Sequence, residues 1–245
     1  MSQRHPDRHA IPPVVVNRLP LYLRTLCYAQ QEGLLTISSK ELGRRLGFSA
    51  AQIRKDLSLF GEFGKQGTGY PIPQLIQALR RILHIDHMWD MALVGVGALG
   101  RALLRYQGLT KRGFRIAMAF DSDPRKIGQR IGPFVVQDVA RLEEAIRMSG
   151  IRLGVIATPP DAAQTIAERM VAAGVRGILS YAPIYLQLPP EVRVEYIDPV
   201  VHLQRITFYI GPHEGSSAPL DESECQPRRE QGQAQECEPE SEDAP

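Results

Sequence analysis

Apolar residues recur along this chain in two different rhythms. Over the first third they are spaced as on one face of a helix, and the pattern predicts helices at about 18–32, 39–46, 50–60 and 73–84. The residues expected to begin or end the first three helices are Asn17, Ser38 or Ser39, Ser49 with Gln52 as a capping box, and then Gly33, Gly47 and Gly61. The N-terminal third is therefore predicted to be a small helical domain.

From Trp89 onward the rhythm changes to short apolar runs separated by helical segments. The strands are expected at 89–94, 114–120, 133–136, 151–157, 176–180 and 192–196. The helices are expected at about 98–107, 139–148, 160–173 and 199–208. This alternation is typical of a doubly wound parallel sheet, so the expected fold class is α/β.

The first strand of this second region leads into a glycine motif. Gly95, Gly97 and Gly100 form G-x-G-x-x-G between the strand and the next helix, and Asp121 ends the following strand 21 residues later. The glycines permit a tight turn, close approach of the backbone to a pyrophosphate and close helix packing, and Asp121 is placed to bind a ribose hydroxyl. The arrangement predicts a dinucleotide site; the alternative is a glycine-rich turn that binds nothing.

Charge is divided unevenly along the chain. Residues 1–85 carry 12 Lys and Arg against 5 Asp and Glu, 86–210 carry 15 against 12, and 211–245 carry 2 against 10. The basic first block favours a polyanionic partner, although a solvated basic surface would look the same. The acidic tail, with few apolar residues, is expected to be disordered, and residues 1–11 to be a flexible lead.

Composition excludes several classes of protein. The start is interrupted by charged residues and no apolar run reaches membrane-spanning length, so we expect a soluble cytoplasmic protein without membrane contact. The three cysteines form no C-x-x-C pair, which argues against a disulfide scaffold or a zinc site; Cys27 is expected in a core, and Cys225 and Cys237 in the tail. No histidine is placed as a catalyst of hydride transfer, so no enzymatic activity is expected.

The second and third helices form a candidate helix-turn-helix around Gly47 and Phe48. Ile53, Leu57 and Phe60 would face inward, while Gln52, Arg54 and Lys55 would reach base edges or phosphates from a helix that starts with small residues. The glycine-rich segment 61–71, which contains Lys65, would be a wing along the DNA backbone. The alternative is an ordinary helical domain with a charged face.

Several spaced motifs together resemble one known family. The segments 52–61 and 67–70 are similar to the winged-helix signature of the Rex redox-sensing transcriptional repressors, 120–128 to its second-strand motif, and 177–183 to its later block G-I-L-N-F-A-P. The resemblance covers about residues 13 to 210. Pro199, where some members carry an aromatic residue, and the acidic tail depart from the family pattern.

This resemblance implies a homodimer that binds a palindromic operator when NAD⁺ dominates and releases it when NADH binds. It implies a winged helix-turn-helix domain at 12–85, a Rossmann domain at 86–197, and a domain-swapped C-terminal helix at 198–210, followed by the tail 211–245. It also implies that Arg24 and Asp198 pair in one allosteric state, and that Tyr106 moves with the nicotinamide.

The residue types favour NAD(H) over NADP(H), because Asp121 and Asp123 repel a 2′-phosphate, although Arg125 and Lys126 weaken that preference. Thr158 and Pro159 follow a strand and would line the cofactor cleft or merely form a turn. The residues expected at the cofactor are Gly95, Val96, Gly97, Ala98, Leu99, Gly100, Tyr106, Asp121, Asp123, Lys126, Thr158 and Pro159.

The residues expected at DNA are Ser49, Ala50, Gln52, Arg54, Lys55, Lys65, Gly67 and Tyr70. Two other functions remain open from the residues. One is an NAD-dependent dehydrogenase, or a CoA- or nucleotide-binding protein with a helical cap. The other is an interaction module whose Rossmann fold has lost its ligand. No metal site is expected.

Overall fold

The computed structural model describes residues 11–64 and 68–211. The lead up to residue 10, the segment 65–67 and residues 212–245 of the tail lie outside the described residues, and with them Lys65, Gly67, Cys225 and Cys237. The N-terminal elements are α1 (Pro13–Gln31), β1 (Thr36–Ile37), α2 (Ser39–Leu46), α3 (Ala50–Ser58), β2 (Tyr70–Pro71) and α4 (Ile72–Ile82). The four helices predicted for the N-terminal third are therefore present.

The start of α1 differs from the sequence-based expectation. The helix begins at Pro13 behind Pro12, so Asn17 lies inside the first turns and is not its cap. Proline at the first helical position has the required backbone angle and needs no hydrogen-bond partner for its nitrogen, which makes a side-chain cap unnecessary. Ser38 and Ser49 act as caps as expected, since each accepts a backbone N–H three residues on, and Gly47 ends α2 in the left-handed conformation. The third helix ends earlier than expected, with Leu59 and not Gly61 at its C-cap.

The second region builds a seven-stranded sheet. Its elements are β3 (Trp89–Val94), α5 (Ala98–Arg105), β4 (Phe114–Asp121), β5 (Arg130–Ile131), β6 (Phe134–Asp138), α6 (Leu142–Ser149), β7 (Leu153–Ile156), α7 (Pro160–Ala172), β8 (Gly177–Ser180) and β9 (Arg193–Tyr196). The strand order is β5-β6-β4-β3-β7-β8-β9, and all neighbours pair in parallel except β5 with β6. The expected α/β class and parallel sheet are confirmed.

Two apolar cores lie on opposite faces of this sheet. Alternate residues of β3 belong to different cores: Met91 and Leu93 to one, Ala92 and Val94 to the other. The first core includes Leu104 of α5, and the second includes residues of α6 and α7. Side chains on a strand point to opposite faces in turn, so a strand covered by helices on both sides is apolar at every position.

Three short strands were not expected from the sequence. β1 and β2 pair antiparallel through Ile37 and Tyr70, and β5 pairs with the start of β6. Each has only two residues, too few to show an alternating pattern, and each is defined by its partner strand rather than by its own composition.

The last helix, α8 (Pro199–Ile210), forms a unit of its own after Asp198. None of its residues is buried, including Phe208 and Tyr209. Among the residues that the structure describes, no helix is both long and apolar enough to cross a membrane.

A buried ionic cluster joins α1 to α3. Asp56 is 1% exposed and accepts two hydrogen bonds from the Arg18 guanidinium, at 2.6 and 2.8 Å, and one from the Tyr22 hydroxyl at 2.6 Å. Gln52 adds a fourth at 2.6 Å. Burial by itself would raise the pKa of Asp56, but the hydrogen bonds from Arg18, Tyr22 and Gln52 outweigh it and hold the pKa below its usual value.

Replacing Asp56 by Ala is expected to destabilise the folded protein by about 3–5 kcal/mol, because Arg18 and Tyr22 lose their buried partner. The lowered pKa of Asp56 means that this stabilisation is present at neutral pH and is lost as the pH falls through that lowered value. Urea unfolding of both proteins between pH 7 and pH 3 measures both effects.

Asp90→Ala is the matched control for this experiment. Asp90 makes the same bidentate contact to Arg115, but in that pair both side chains are more than a third exposed. Solvent weakens an exposed pair, so this variant should unfold at nearly the wild-type urea concentration. Equal losses in the two variants would mean that burial of Asp56 contributes nothing special.

Candidate functional site

The predicted nucleotide loop lies where the sheet changes winding direction. The chain proceeds from β3 outward through β4 and β6 on one side, and then returns to β7 on the other. The loops after β3 and β7 therefore leave neighbouring strands in opposite directions, which opens a crevice at the carboxyl ends of the strands.

Gly95 turns the chain directly against the β7 loop. Its φ is +97°, and a Cβ at this position would lie 2.4 Å from the carbonyl oxygen of Ala157. Both the backbone conformation and the lack of space therefore require glycine here.

Gly100 and Gly97 have different roles in the motif. Gly100 is buried, and a Cβ there would lie 2.0 Å from the carbonyl oxygen of Gly95, so α5 can pack on the turn only through glycine. A Cβ on Gly97 would meet nothing within 4 Å. Gly97 is the N-cap of α5 and gives it no side-chain cap, so the first N–H groups of the helix remain available to an anion.

Asp121 connects this loop to the loop after β4. It is 6% exposed, and its carboxylate accepts the Val96 N–H at 2.8 Å, the Asp123 N–H at 2.9 Å and the Lys126 ammonium at 3.0 Å. Burial would raise the pKa of Asp121, but these hydrogen bonds outweigh it and lower the pKa. Asp121 is therefore ionised and holds the loop in place. A ribose hydroxyl would donate to the lone pairs of Asp121 that these three hydrogen bonds leave unused.

Asp123 lies beside this support and is held by Arg125. The two side chains make a pair of 3.0 Å contacts, and the hydrogen bonds from the Arg125 side chain and backbone lower the pKa of Asp123. The Arg125 side chain is largely exposed. The crevice thus has two ionised carboxylates at the end of β4, each neutralised by a neighbouring cation.

Thr158 offers an unpaired polar atom at the same crevice. Its Oγ1 is buried and has no hydrogen-bond partner among the described residues, and its backbone nitrogen would be 2.9 Å from a Cβ on Gly95. An unpaired buried hydroxyl costs about 1–3 kcal/mol. The donor set next to the glycine loop therefore fits a ligand with polar groups, as a dinucleotide has.

The remaining predicted cofactor residues surround this loop. Val96 is buried, whereas Ala98 and Leu99 are exposed in the first turn of α5 and Pro159 precedes α7. Tyr106 follows α5 with half of its surface exposed, and its ring lies against Gly108. Apart from Tyr106, these positions all lie near the glycine loop or at the end of β7.

The helix-turn-helix depends on a close backbone contact that the sequence analysis missed. A Cβ on Gly43 would lie 2.3 Å from the carbonyl oxygen of Phe48, so glycine allows α2 to approach the turn before α3. Ile53 and Leu57 face the core as expected, and Phe60 packs against it. The only signal in the sequence was a glycine at an apolar position of a short helix.

The exposed face of α3 carries Arg54 and Lys55, and Ser49 before it is exposed too. The guanidinium of Arg54 donates to Ser39 Oγ at 3.0 Å. Ala50 is half-buried. The amide of Gln52 donates to Asp56, because that buried carboxylate offers a strong acceptor four residues away, so Gln52 does not complete the expected capping box. Its contact with a base edge stays a prediction.

β2 lies at the end of the segment 61–71 that is predicted to be a wing, and it pairs with β1. Tyr70 is half-buried in β2, and burial raises its pKa, although the nearby Arg54 charge opposes that rise.

The predicted allosteric residues lie far apart in the sequence: Arg24 is exposed on α1, and Asp198 is partly buried directly before α8. Their pairing remains a prediction.

Comparison with known proteins agrees with both halves of this description. A family model described as "Putative DNA-binding protein N-terminus" matches residues 10–58, and one described as "CoA binding domain" matches residues 86–184. A Rex redox-sensing transcriptional repressor from Chloroflexus aurantiacus is 52% identical over 83% of this chain and 97% of its own length. The chain belongs to the Rex family of redox-sensing transcriptional repressors.

Other Rex proteins extend this comparison. The repressor from Desulfitobacterium hafniense is 42% identical over 82% of the chain. The crystal structure of the Rex-family repressor RSP with β-NAD⁺ and operator DNA has a TM-score of 0.78 and 36% identity, over 82% of this chain and 92% of that one. The RSP complex with β-NADH has a TM-score of 0.76 and 33% identity. Since members of the family are repressors, the interpretation as a dehydrogenase is not supported.

The glycine contacts predict different costs for two single substitutions. Gly100→Ala should destabilise the protein by about 1–3 kcal/mol, because its methyl group collides with the Gly95 carbonyl. Gly97→Ala should change stability by less than about 0.5 kcal/mol, since its methyl group meets open space. Urea unfolding measures both, and a Gly100→Ala protein as stable as wild type would contradict the packing described here.

Proposed function

We propose that this chain is a homodimeric repressor that binds NAD(H) at the Gly95–Gly100 loop and a palindromic operator through α3, and that NADH releases the DNA. The observation that carries the proposal is the crevice itself. The start of α5, which has no side-chain cap, the ionised Asp121 and the Thr158 hydroxyl, which has no partner among the described residues, lie next to one another there. The RSP complexes with β-NAD⁺, β-NADH and operator DNA, at 33–36% identity, support it.

The nucleotide is held mainly by backbone groups in this proposal. The pyrophosphate lies at the N-terminus of α5, where Gly97 leaves room for it. Asp121 and Asp123 face the adenosine ribose, and their oxygens favour a free 2′-hydroxyl because they accept its hydrogen bond. The Thr158 hydroxyl and Tyr106 act toward the nicotinamide half, where NAD⁺ and NADH differ in charge and planarity.

Operator binding is assigned to the exposed part of α3. Arg54 and Lys55 supply positive charge at the face that the helix-turn-helix presents, and the domain to which they belong is basic overall. Gln52 contributes through its carbonyl oxygen or after release from Asp56. The functional segments are 12–85 for DNA, 86–197 for the nucleotide and 198–210 for exchange between subunits.

The proposed mechanism is a shift between two dimer states and needs no chemical step. If the state that fits NADH better holds the two α3 helices at the wrong spacing, NADH lowers the affinity for a two-half-site operator. A coupling of about 1–3 kcal/mol per ligand is typical of such switches. A protein that reads chromosomal operators in this way acts in the cytoplasm.

The first test is selection of bound duplexes from a palindromic library with NAD⁺ or NADH at fixed salt. We expect enrichment of one motif that NADH abolishes. Gly97→Ala is the matched variant: it should remain folded and bind the same motif, but it should lose at least about tenfold in NADH affinity, because its methyl group occupies the space of the pyrophosphate. Enrichment that is indifferent to NADH in the wild type would refute redox sensing.

Asp198→Ala tests the predicted latch. This variant should bind NADH and operator separately but should show a weaker loss of operator affinity on adding NADH. Arg24→Ala should behave alike, and the double variant should add nothing further, as expected for residues of one pair. Glu195→Ala, an exposed neighbour on β9, is the control; a normal NADH response in both single latch variants would exclude the pair.

A further inference from the structure

A second charged surface lies at the amino ends of β7 and β8, whereas the nucleotide loop lies at the carboxyl ends of the strands. Arg152 precedes β7 and Arg176 precedes β8, and the two residues are adjacent, since the Arg176 N–H donates to the Arg152 carbonyl at 2.9 Å. Arg147 joins them from the last turn of α6. β7 separates Arg152 from the crevice by roughly 16 Å at the usual strand rise, so the two surfaces are distinct.

These three arginines line a cleft of about 350 Å³. Gly150 and Gly174 also line the cleft; their φ angles are +67° and +115°, and a Cβ on either would meet nothing within 4 Å. Ile151 and Ala173 are buried beneath it. The surface is therefore concave and unobstructed, and basic side chains stand around it.

The part of the chain that the structure describes places no partner on the side chains of these arginines. Within the described residues, none of Arg147, Arg152 and Arg176 forms an ion pair or a side-chain hydrogen bond. Glu143 interacts with the charge of Arg147, but its carboxylate makes a bidentate pair with Arg169 at 2.6 and 2.7 Å. Arg193, the first residue of β9, contacts Glu195.

The negative C-terminal ends of two helices offset only part of this positive charge. α6 and α7 both end at the cleft, and each C-terminus carries the equivalent of roughly −0.5 charge. Their last carbonyls also accept backbone N–H groups from Gly150 and Val175. Set against three guanidinium groups, the two helix ends leave about two positive charges uncompensated among the residues that the structure describes.

We propose that this cleft binds a small oligophosphate anion at a second ligand site, separate from the nucleotide crevice. Guanidinium groups match phosphate oxygens in pairs, and three of them around one concave surface suit a ligand with two or three linked phosphates. A concave cleft fits such a compact anion better than it fits a DNA backbone, which needs an extended surface. The proposal does not depend on NAD(H) or operator binding.

The experiment is calorimetric titration of the full-length protein, saturated with NADH so that the nucleotide crevice is occupied, with inorganic tripolyphosphate at fixed salt. We expect one site per chain. Replacement of Arg147, Arg152 and Arg176 together by Ala should weaken binding by at least about 100-fold, because each charge-assisted contact is worth roughly tenfold. The triple Lys variant should lose about tenfold, since it keeps the charge but not the paired hydrogen bonds.

Arg130→Ala is the matched control. Arg130 is exposed on β5, the outermost strand on the side of the sheet away from β7 and β8. It should bind tripolyphosphate within about twofold of wild type. Unfolding curves and NADH titrations of all variants should match those of the wild type, which excludes misfolding as the cause of any loss.

Three results would overturn the proposal. One is no binding of tripolyphosphate to the wild type. A second is an equal loss in Arg130→Ala, which would mean general attraction of anions to a basic surface. The third is a triple Ala variant that binds tripolyphosphate normally but binds non-operator duplex DNA more weakly, which would assign the edge to a nucleic-acid backbone instead.

Discussion

Direct contact between backbone segments at the centre of the sheet is the constraint on which the nucleotide crevice depends. Gly95 lies against the carbonyl of Ala157, and Gly100 lies against the carbonyl of Gly95, at distances where any Cβ would collide. These contacts bring β3, α5 and the β7 loop together with no side chain between them. The uncapped start of α5 and the Thr158 hydroxyl consequently lie at the same crevice.

Two buried carboxylates perform similar tasks in the two halves of the chain. Asp121 ties the loop after β3 to the loop after β4, and Asp56 ties α3 to α1. In both cases the hydrogen bonds outweigh the cost of burial and lower the pKa, so each carboxylate stays ionised in the interior. A buried, ionised carboxylate thus positions the predicted DNA-binding helix α3 in one half and the predicted nucleotide loop in the other.

The carboxyl and amino ends of the strands in this sheet carry different charged groups. At the carboxyl ends of the strands, backbone N–H groups stand beside paired carboxylates such as Asp121 and Asp123. At the amino ends, Arg152 and Arg176 stand beside helix C-termini without a partner carboxylate in the described structure. A parallel sheet with helices on both faces produces this polarity, because all its strands and helices run in consistent directions.

The sequence by itself determined the elements of regular period. The strand at Trp89–Val94, the helix at Ser39–Leu46 and the glycine motif were predictable from local spacing, because their residues interact with near neighbours in the chain. Tertiary structure alone decided the partners of Asp56 and Gln52, the close contacts at Gly43, and the clustering of three arginines. Arg18 lies 38 residues from Asp56, so only folding brings them together. A carboxylate between Ile53 and Leu57 on an apolar face did signal that some partner was required, but no spacing rule could name it.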